Sequence, residues 1–432
     1  MRFIAGGGIL SGVKRGRKPN LPVEEDKLAC LSIVRLLQHH RDRLAGASHP
    51  QHGNVRLELT DALAVMLAAF FNPAVRSLRL IEQLSQIPWV KGQLQVQRVC
   101  RSTLSDAFER FEPEQLRPLI EELTQQAPQL GRMDGDLASL CRRVVAGDGS
   151  YWNIPADVLW ALAQNRGGKG QTTRRAVRIN WQLDVSSFTP TDLSVSGADE
   201  GSEAAAFIKG LVSGVIYVID RNFVHFDFIN AVLAKGSDLV LRLRSDTKFQ
   251  ASQTLALCEK DQAAGVTSDR LGKLPGSSQK QGKSRTGRPP EQALREVILV
   301  DPQTGKSVRL ITSLLDVPAH IIGTIYRHRW QIELFFRWLK VWANFDHLLS
   351  HGKKGITLQF YVAIIACLLM YVRSGRKLNK YSLFLLGQVA AGQIEFDAIV
   401  PMLDRIEREK EQQRQRRLRK KADAKKVEAL RA

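Results

Sequence analysis

The sequence predicts a mixed α/β fold in which a central sheet is covered by helices. Short apolar stretches typical of strands alternate with helical stretches between residues 142 and 244. The chain has 432 residues, enough for two or three domains and a sizeable core. Hydrophobic residues make up 44% and charged residues 25% of the chain, which is ordinary for a globular protein.

The first 140 residues predict a basic arm followed by helices. Residues 1–25 are rich in Gly and basic side chains, which predicts a disordered arm. Residues 26–140 are interpreted as an all-helical domain that binds DNA. Its helices begin after Thr60, near Val75, after Ser102 and after Pro113.

Residues 141–245 predict the first part of the sheet. Two segments stand out as strands, an alternating apolar one and a continuously apolar one, Val177–Asp184 and Val215–Asp220. The remaining elements are a short apolar run that ends at Asp148, a hairpin strand at Thr189–Gly197, helices at Ser202–Leu211 and Phe223–Lys235, and a strand at Asp238–Arg244.

Residues 246–315 interrupt this alternation and are interpreted as a β-rich insertion. A polar, basic loop at 276–290 precedes two predicted strands, Arg295–Val300 and Ser307–Ser313. The second part of the core, 316–375, predicts one helix from Pro318 to about Val341. It also predicts an apolar helix from Thr357 to about Tyr371. The longest apolar run, Phe360–Val372, is too short to span a bilayer, so this helix is expected to be buried. Residues 376–432 form a helical region with a basic tail.

The charge balance predicts a polyanionic partner. Lys and Arg number 63 against 43 Asp and Glu, a formal net charge of +20. A membrane surface is disfavoured because the chain has no basic amphipathic helix with an aromatic face. The five cysteines include no CxxC pair, which disfavours a zinc finger and suits a reducing compartment. The chain is therefore expected in the cytoplasm.

Three acidic residues are candidates for a catalytic metal site. Asp148 and Asp220 each close an apolar strand, a place where ligand sites form in open sheets, although a lone Asp there is commonly a turn former. Glu333 lies on a predicted helix whose single stripe also carries a phenol, a guanidinium and an ammonium group, from Tyr326, Arg329 and Lys340. The alternative is an ordinary Arg–Glu pair on a solvated helix face.

Phosphoryl transfer is the chemistry that such a set suits. The reaction needs an attacking oxygen, a leaving oxygen and relief of charge at phosphorus, which two Mg²⁺ ions can supply. Mg²⁺ prefers hard carboxylate oxygens. Neighbouring cations then clamp phosphates, Arg329 in a bidentate manner and Lys340 as a point charge.

These residues resemble a known family of bacterial enzymes. The spacing Tyr326-x2-Arg329-x3-Glu333-x6-Lys340 is similar to the Y-R-E-K signature of transposases of the insertion-sequence-four family. The segments around the first and second acids, Gly147–Ser150 and Tyr217–Arg221, also resemble that family. The resemblance spans roughly residues 140–375.

The resemblance implies a ribonuclease-H-like catalytic core interrupted by a β-rich insertion. It implies that Asp148, Asp220 and Glu333 hold two Mg²⁺ ions, with Mn²⁺ able to substitute. It further implies a homodimer that acts on double-stranded DNA, cleaving paired terminal inverted repeats and joining them to target DNA in a cut-and-paste reaction. The predicted DNA contacts are Tyr326, Arg329 and Lys340, together with Arg221 beside the second aspartate and Arg244 at the end of the next strand.

Three alternatives stay open at the level of sequence. A catalytically inactive relative would bind DNA as a regulator. A metal-dependent nuclease or resolvase would cut without joining. The sequence does not distinguish it from a transposase, because one site performs both reactions. A structural RNA-binding protein would account for the charge of +20 but leaves the three acids unexplained.

Overall fold

The computed structural model describes the chain in segments. They are residues 59–71, 77–86, 99–127, 142–155, 158–164, 174–197, 201–276, 288–300, 305–337, 339–340, 348–375 and 398–431, with residues 57, 140, 381–382, 384–385 and 394. The predicted basic arm, 1–25, and most of the predicted loop at 276–290 lie outside these residues. The chain divides into two compact units, one made of Cys30–Phe384 and one of Met1–Ala29 with Leu385–Ala432.

Ten strands form one mixed sheet within the described residues. They are β1 (Val144–Ile154), β2 (Leu162–Gln164), β3 (Arg174–Asp184), β4 (Thr189–Ser196), β5 (Ile216–Ile219), β6 (Asp238–Arg242), β7 (Gln250–Thr254), β8 (Val266–Lys273), β9 (Leu294–Val300) and β10 (Ser307–Thr312). The order is β2-β3-β1-β5-β6-β10-β9-β8-β7, and β4 pairs with β3. Only the pairings of β5 with β1 and with β6 are parallel. The predicted mixed α/β class is confirmed.

The helices of the described residues lie before, between and after these strands along the chain. They are α1 (Leu59–Phe71), α2 (Leu78–Gln86), α3 (Arg101–Arg110), α4 (Arg117–Gln126), α5 (Glu203–Ile208), α6 (Phe226–Ala234), α7 (Glu259–Ala263), α8 (Ala319–His328), α9 (Trp330–Arg337), α10 (Lys353–Ser374) and α11 (Ile399–Arg431). Helices α1, α3 and α4 pack on α10.

One face of the sheet packs on α5 and α6 through aromatic rings. Phe207 of α5 makes edge contacts with Tyr217 of β5 and with Phe223 and Phe228. Gly147 of β1 permits this close approach, because a Cβ at that position would lie 2.1 Å from the Phe207 ring. All four residues of β5 are buried, as expected for a parallel strand that is covered on both faces.

The opposite face packs on α9 and α10. Trp181 of β3, with no exposed surface, contacts the rings of Phe335, Phe336 and Phe360. The predicted helix is longer than expected, because α10 starts at Lys353 and not at Thr357. By length and composition alone, its Lys353–Val372 segment is long and apolar enough to cross a membrane, which corrects the expectation that it is too short. However, 89% of that segment is buried inside the protein, so α10 is a core helix, as predicted.

Two further sequence predictions are corrected. The strand expected to end at Asp148 continues to Ile154, because β3 pairs with β1 along its whole length. The single helix expected from Pro318 to Val341 is divided at Arg329 into α8 and α9. The N–H groups of Arg329 and Ile332 donate to carbonyls three residues earlier, at 3.1 Å each, which tightens the turn there.

The strands predicted between residues 246 and 315 are present and extend the central sheet, because β10 pairs with β6. A buried carboxylate, Asp261, ties this region to the start of α8. Its Oδ1 accepts from the backbone N–H of His320 at 2.9 Å and lies 2.7 Å from His320 Nδ1, and its Oδ2 accepts from the Cys258 N–H at 3.1 Å.

We expect Asp261→Asn to lower the free energy of unfolding by about 1–3 kcal/mol at pH 7, the usual cost of losing hydrogen bonds to a buried charged group. Burial alone would raise the pKa of Asp261, but hydrogen bonds from Cys258 and His320 lower it to about 2. A carboxylate with a depressed pKa stabilises the fold above its ordinary pKa of 3.8 and loses that effect as pH falls towards 2. Urea unfolding of both proteins between pH 7 and 3 measures this difference. An equal difference at both ends of that range would contradict the assignment.

Candidate functional site

A notch forms in the sheet where β5 ends and β1 continues. The last paired residue of β5, Ile219, lies opposite Gly147 of β1. Asp220 and Asp148 follow these two residues directly, so the register places them at neighbouring positions beside the notch. Asp148 is therefore accessible because its neighbouring strand ends, and not because its own strand does.

Asp148 lies among like charges. Its Oδ1 accepts a hydrogen bond from the Gly149 N–H at 2.9 Å, and its Oδ2 lies 4.0 Å from Arg329 Nη1. Burial raises the pKa of Asp148 to about 7, the positive charge of Arg329 opposes this rise, and the carboxylates of Glu203 and Glu333 add to it. The negative charges of neighbouring carboxylates and the poor solvation of this region thus both disfavour the ionised form of Asp148.

Glu333 approaches the notch from α9. Its Oε1 accepts from Arg329 Nη2 at 2.5 Å, and the Arg329 side chain is only 11% exposed. The contact of Phe335 with Trp181 packs α9 on β3, so the helix that carries Glu333 has a fixed place over the sheet. Arg329 contacts two of the predicted acids, Asp148 and Glu333, from one guanidinium group.

Tyr326, in the last turn of α8, and Lys340, after α9, reach the site from either side of α9. The Tyr326 hydroxyl donates to Asp220 Oδ1 at 3.4 Å, and burial raises the pKa of this phenol, so that it is a neutral donor. Lys340 Nζ donates to Ser150 Oγ and to the Tyr151 carbonyl at 2.7 Å each, on the part of β1 that follows Asp148.

The structure brings six of the eight predicted site residues into one region: Asp148, Asp220, Tyr326, Arg329, Glu333 and Lys340. The other two, the predicted DNA contacts Arg221 and Arg244, lie outside it. Arg221 follows Asp220 in a short 3₁₀ turn, and Arg244 lies just after β6. Both residues are exposed, and neither has a hydrogen bond or ion pair to the three acids among the described contacts.

Sequence reasoning missed a fourth carboxylate, that of Glu203 at the start of α5. A Cβ built on Gly149 would lie 2.0 Å from Glu203 Oε1, so this carboxylate occupies the space that the glycine leaves free. Burial raises the pKa of Glu203, Arg178 and the Gly149 amide oppose the rise, and Asp220 adds to it. An acid in the first turn of a helix is common because it complements the helix dipole, so no local pattern distinguishes Glu203.

The arrangement is suited to divalent cations. All four carboxylates offer hard oxygen atoms, which Mg²⁺ and Mn²⁺ prefer over nitrogen or sulfur ligands. Arg178 and Arg329 are near enough to balance only part of the carboxylate charge. The donor set therefore fits a divalent metal ion in chemistry and in charge.

Comparison with known proteins shows the family to which this chain is similar. A family model described as "Transposase DDE domain" matches residues 139–369, more than half of the chain, and this segment contains all four acids. The match does not extend to the first 138 residues or to the last 63, which include α1–α4 and α11.

Two curated relatives agree with this match. The chain is 26% identical over 211 residues to "Putative transposase y4zB" of Sinorhizobium fredii, which covers 48% of this chain and 56% of that protein. It is 23% identical over 155 residues to "Probable transposase for insertion sequence element IS5377" of Geobacillus stearothermophilus, which covers 36% and 38%. The chain thus spans about half or less of the length of these relatives.

A solved structure of the piggyBac transposase synaptic complex with hairpin DNA is similar at a TM-score of 0.36 and 11% identity, covering 86% of this chain and 80% of that one. A likeness this distant adds nothing to the assignment, which depends on the family match. On that match, the chain belongs to the transposase DDE domain family.

Proposed function

We propose that this protein is a cut-and-paste DNA transposase of the insertion-sequence-four group, with Asp148, Asp220 and Glu333 as its catalytic acids. The convergence of these three residues, from two neighbouring strands and a helix, is the observation that carries the proposal. The order β4-β3-β1-β5-β6, in which only β5 and β6 run parallel to β1, supports a ribonuclease-H-like core.

The three acids would hold two Mg²⁺ ions, with Mn²⁺ as a substitute. When bound, these ions supply an activated attacking oxygen and relief of charge at the scissile phosphate. The protein's own contribution is to orient the acids. Arg329 holds Glu333 close to Asp148, and the Tyr326 hydroxyl positions the Asp220 carboxylate.

The cations around the acids would bind the DNA backbone at the element's ends. Arg329 and Lys340 flank the acids, whereas the exposed Arg221 and Arg244 would contact DNA further from the reacting phosphate. The net charge of +20 supports a polyanionic partner. The proposed substrates are the terminal inverted repeats and a target duplex, bound by a homodimer in the bacterial cytoplasm at the nucleoid.

We expect Lys340→Met to weaken binding of end DNA and to reduce the slope of log Kd against log salt concentration by about 1, the change for one lost phosphate contact. Lys340→Arg is the matched control, because it keeps the charge and should keep most of the slope. Fluorescence anisotropy with a labelled end duplex at several salt concentrations measures both. A slope unchanged in Lys340→Met would place this ammonium group away from phosphate.

An assay on DNA ends tests the proposed function. The purified full-length chain is incubated with Mg²⁺ and DNA that carries the inverted repeats flanking its gene, and cleaved and joined products are separated on gels. The proposal expects cleavage at the repeat ends followed by joining to a second DNA. Cleavage without joining would favour a nuclease, and binding without cleavage would favour an inactive DNA-binding relative.

A further inference from the structure

The acidic site has a second group of oxygen atoms that the three family acids do not include. Glu203 and Asn180 reach the same point beside Asp148 from different elements. Relative to the position of a Cβ on Gly149, Glu203 Oε1 lies at 2.0 Å and Asn180 Oδ1 at 3.3 Å. Glycine at 149 thus leaves room for two oxygen atoms next to the first catalytic aspartate.

The Asn180 side chain is held in one orientation by its amide nitrogen. Nδ2 donates to Ser194 Oγ at 3.1 Å and to Ser196 Oγ at 2.9 Å, both on β4. Asn180 is only 3% exposed, and its Oδ1 has no hydrogen-bond donor among the described residues. A buried amide oxygen without a hydrogen-bond donor is energetically unfavourable, so this atom is suited to a ligand that supplies positive charge or a proton.

The start of α5 fixes the backbone position of Glu203. Ser202 Oγ accepts from the Ala205 N–H at 3.2 Å, and Phe207 packs one turn later against Gly147. Arg178 is the nearby cation for Glu203, but its guanidinium also donates to the Gly201 carbonyl. The four carboxylates of Asp148, Asp220, Glu203 and Glu333 outnumber the nearby guanidinium groups, which belong to Arg178, Arg329 and Arg242 beside Tyr326.

We propose that Glu203 is a fourth carboxylate of the active site and that, with Asn180 Oδ1 and Asp148, it holds one of the two divalent cations. This proposal rests on the proposed function, because it assumes that the three family acids bind metal. It adds two ligands from elements outside the Y-R-E-K helix, one from α5 and one from β3. It also explains why position 149 of an otherwise regular strand carries no side chain.

Metal binding by the DNA-free full-length chain tests the proposal without a catalytic readout. Mn²⁺ binding is measured by electron paramagnetic resonance and calorimetry for wild type and for Glu203→Gln. We expect two Mn²⁺ per chain in wild type, and in Glu203→Gln one of them weakened by roughly tenfold or more. Glu259→Gln, which removes an exposed acid on α7, is the matched control and should bind like wild type.

Two further variants separate a ligand role from a structural one. Gly149→Ala keeps the charge of Glu203 but displaces its carboxylate, so it should weaken the same Mn²⁺ ion even if Glu203→Gln does not fold. Asn180→Asp should retain or tighten Mn²⁺ binding if Oδ1 faces the cation. If the amide instead donates to Glu203, Asn180→Asp would place two carboxylates in contact and lower the affinity, which would overturn the role of Asn180.

Absence of the metal site and absence of a role for Glu203 give different results. Wild type that binds no Mn²⁺ would contradict the metal site of the proposed function. Wild type that binds two ions, with Glu203→Gln and Gly149→Ala both unchanged in affinity, would overturn only the role of Glu203. Thermal unfolding of each metal-free variant shows that a lost ion reflects the site and not a lost fold.

Discussion

Glu333→Gln is expected to lower the rates of end cleavage and of joining by more than about a hundredfold. Loss of a residue that only supports a metal ligand commonly costs 10–100-fold, and a direct ligand should cost at least as much. The amide keeps the size of the side chain, and its carbonyl oxygen can still accept from Arg329, which donates to Glu333 Oε1 at 2.5 Å, but the negative charge that holds a cation is removed. Single-turnover cleavage of labelled end DNA measures the effect.

Binding of end DNA separates this loss from a general defect. We expect Glu333→Gln to bind the ends as tightly as wild type or more tightly, because it removes a negative charge near the DNA phosphates. Asp316→Asn, which changes an exposed acid on the segment before α8, is the control and should cleave at the wild-type rate. If Glu333→Gln cleaved and joined like wild type, Glu333 would not be a catalytic acid.

Trp181→Ala is expected to lower the free energy of unfolding by about 3–5 kcal/mol, the usual cost of removing a large aromatic side chain from a core. The ring is fully buried at the contact between β3 and helices α9 and α10. Since α9 carries Glu333, cleavage activity should fall with stability, even at temperatures where the variant remains folded. Urea unfolding and cleavage at 20 °C measure the two effects.

Trp181→Phe is the matched control for this prediction. The indole Nε1 has no hydrogen-bond partner among the described residues, so its removal breaks no hydrogen bond. The phenyl ring retains much of the contact with Phe335 and Phe360, and we expect a loss below about 1.5 kcal/mol with activity retained. A Trp181→Ala variant that is as stable as Trp181→Phe would show that this aromatic cluster does not hold α9 on the sheet.

The sequence predicted the elements whose signal is local. A strand at Val215–Asp220 followed from a continuous apolar run, and β5 occupies Ile216–Ile219. The grouping of Tyr326, Arg329 and Glu333 followed from helical spacing, which survives the division at Arg329 because the turn there only tightens. In both cases neighbouring residues in the chain carry the information.

The remaining features depend on partners distant in the chain. The length of β1 is set by its pairing with β3, so the acid at its centre looked like the end of a strand. The notch exists because β5 is short, which no pattern around Asp148 reveals. Glu203 belongs to the site only because Gly149 leaves it room. Nor does any local pattern indicate that β10 joins the insertion to β6.

Iron-directed cleavage of the polypeptide tests the central claim most directly. Fe²⁺ takes the place of Mg²⁺ in an oxygen-ligand site, and with ascorbate and peroxide it generates radicals that cut the nearby backbone. Cuts are expected close to Asp148, Asp220 and Glu333, three positions far apart in sequence, and Mg²⁺ should suppress all three together. Cuts at only one of these positions, or cuts that excess Mg²⁺ leaves unchanged, would contradict a single metal site built from the three acids.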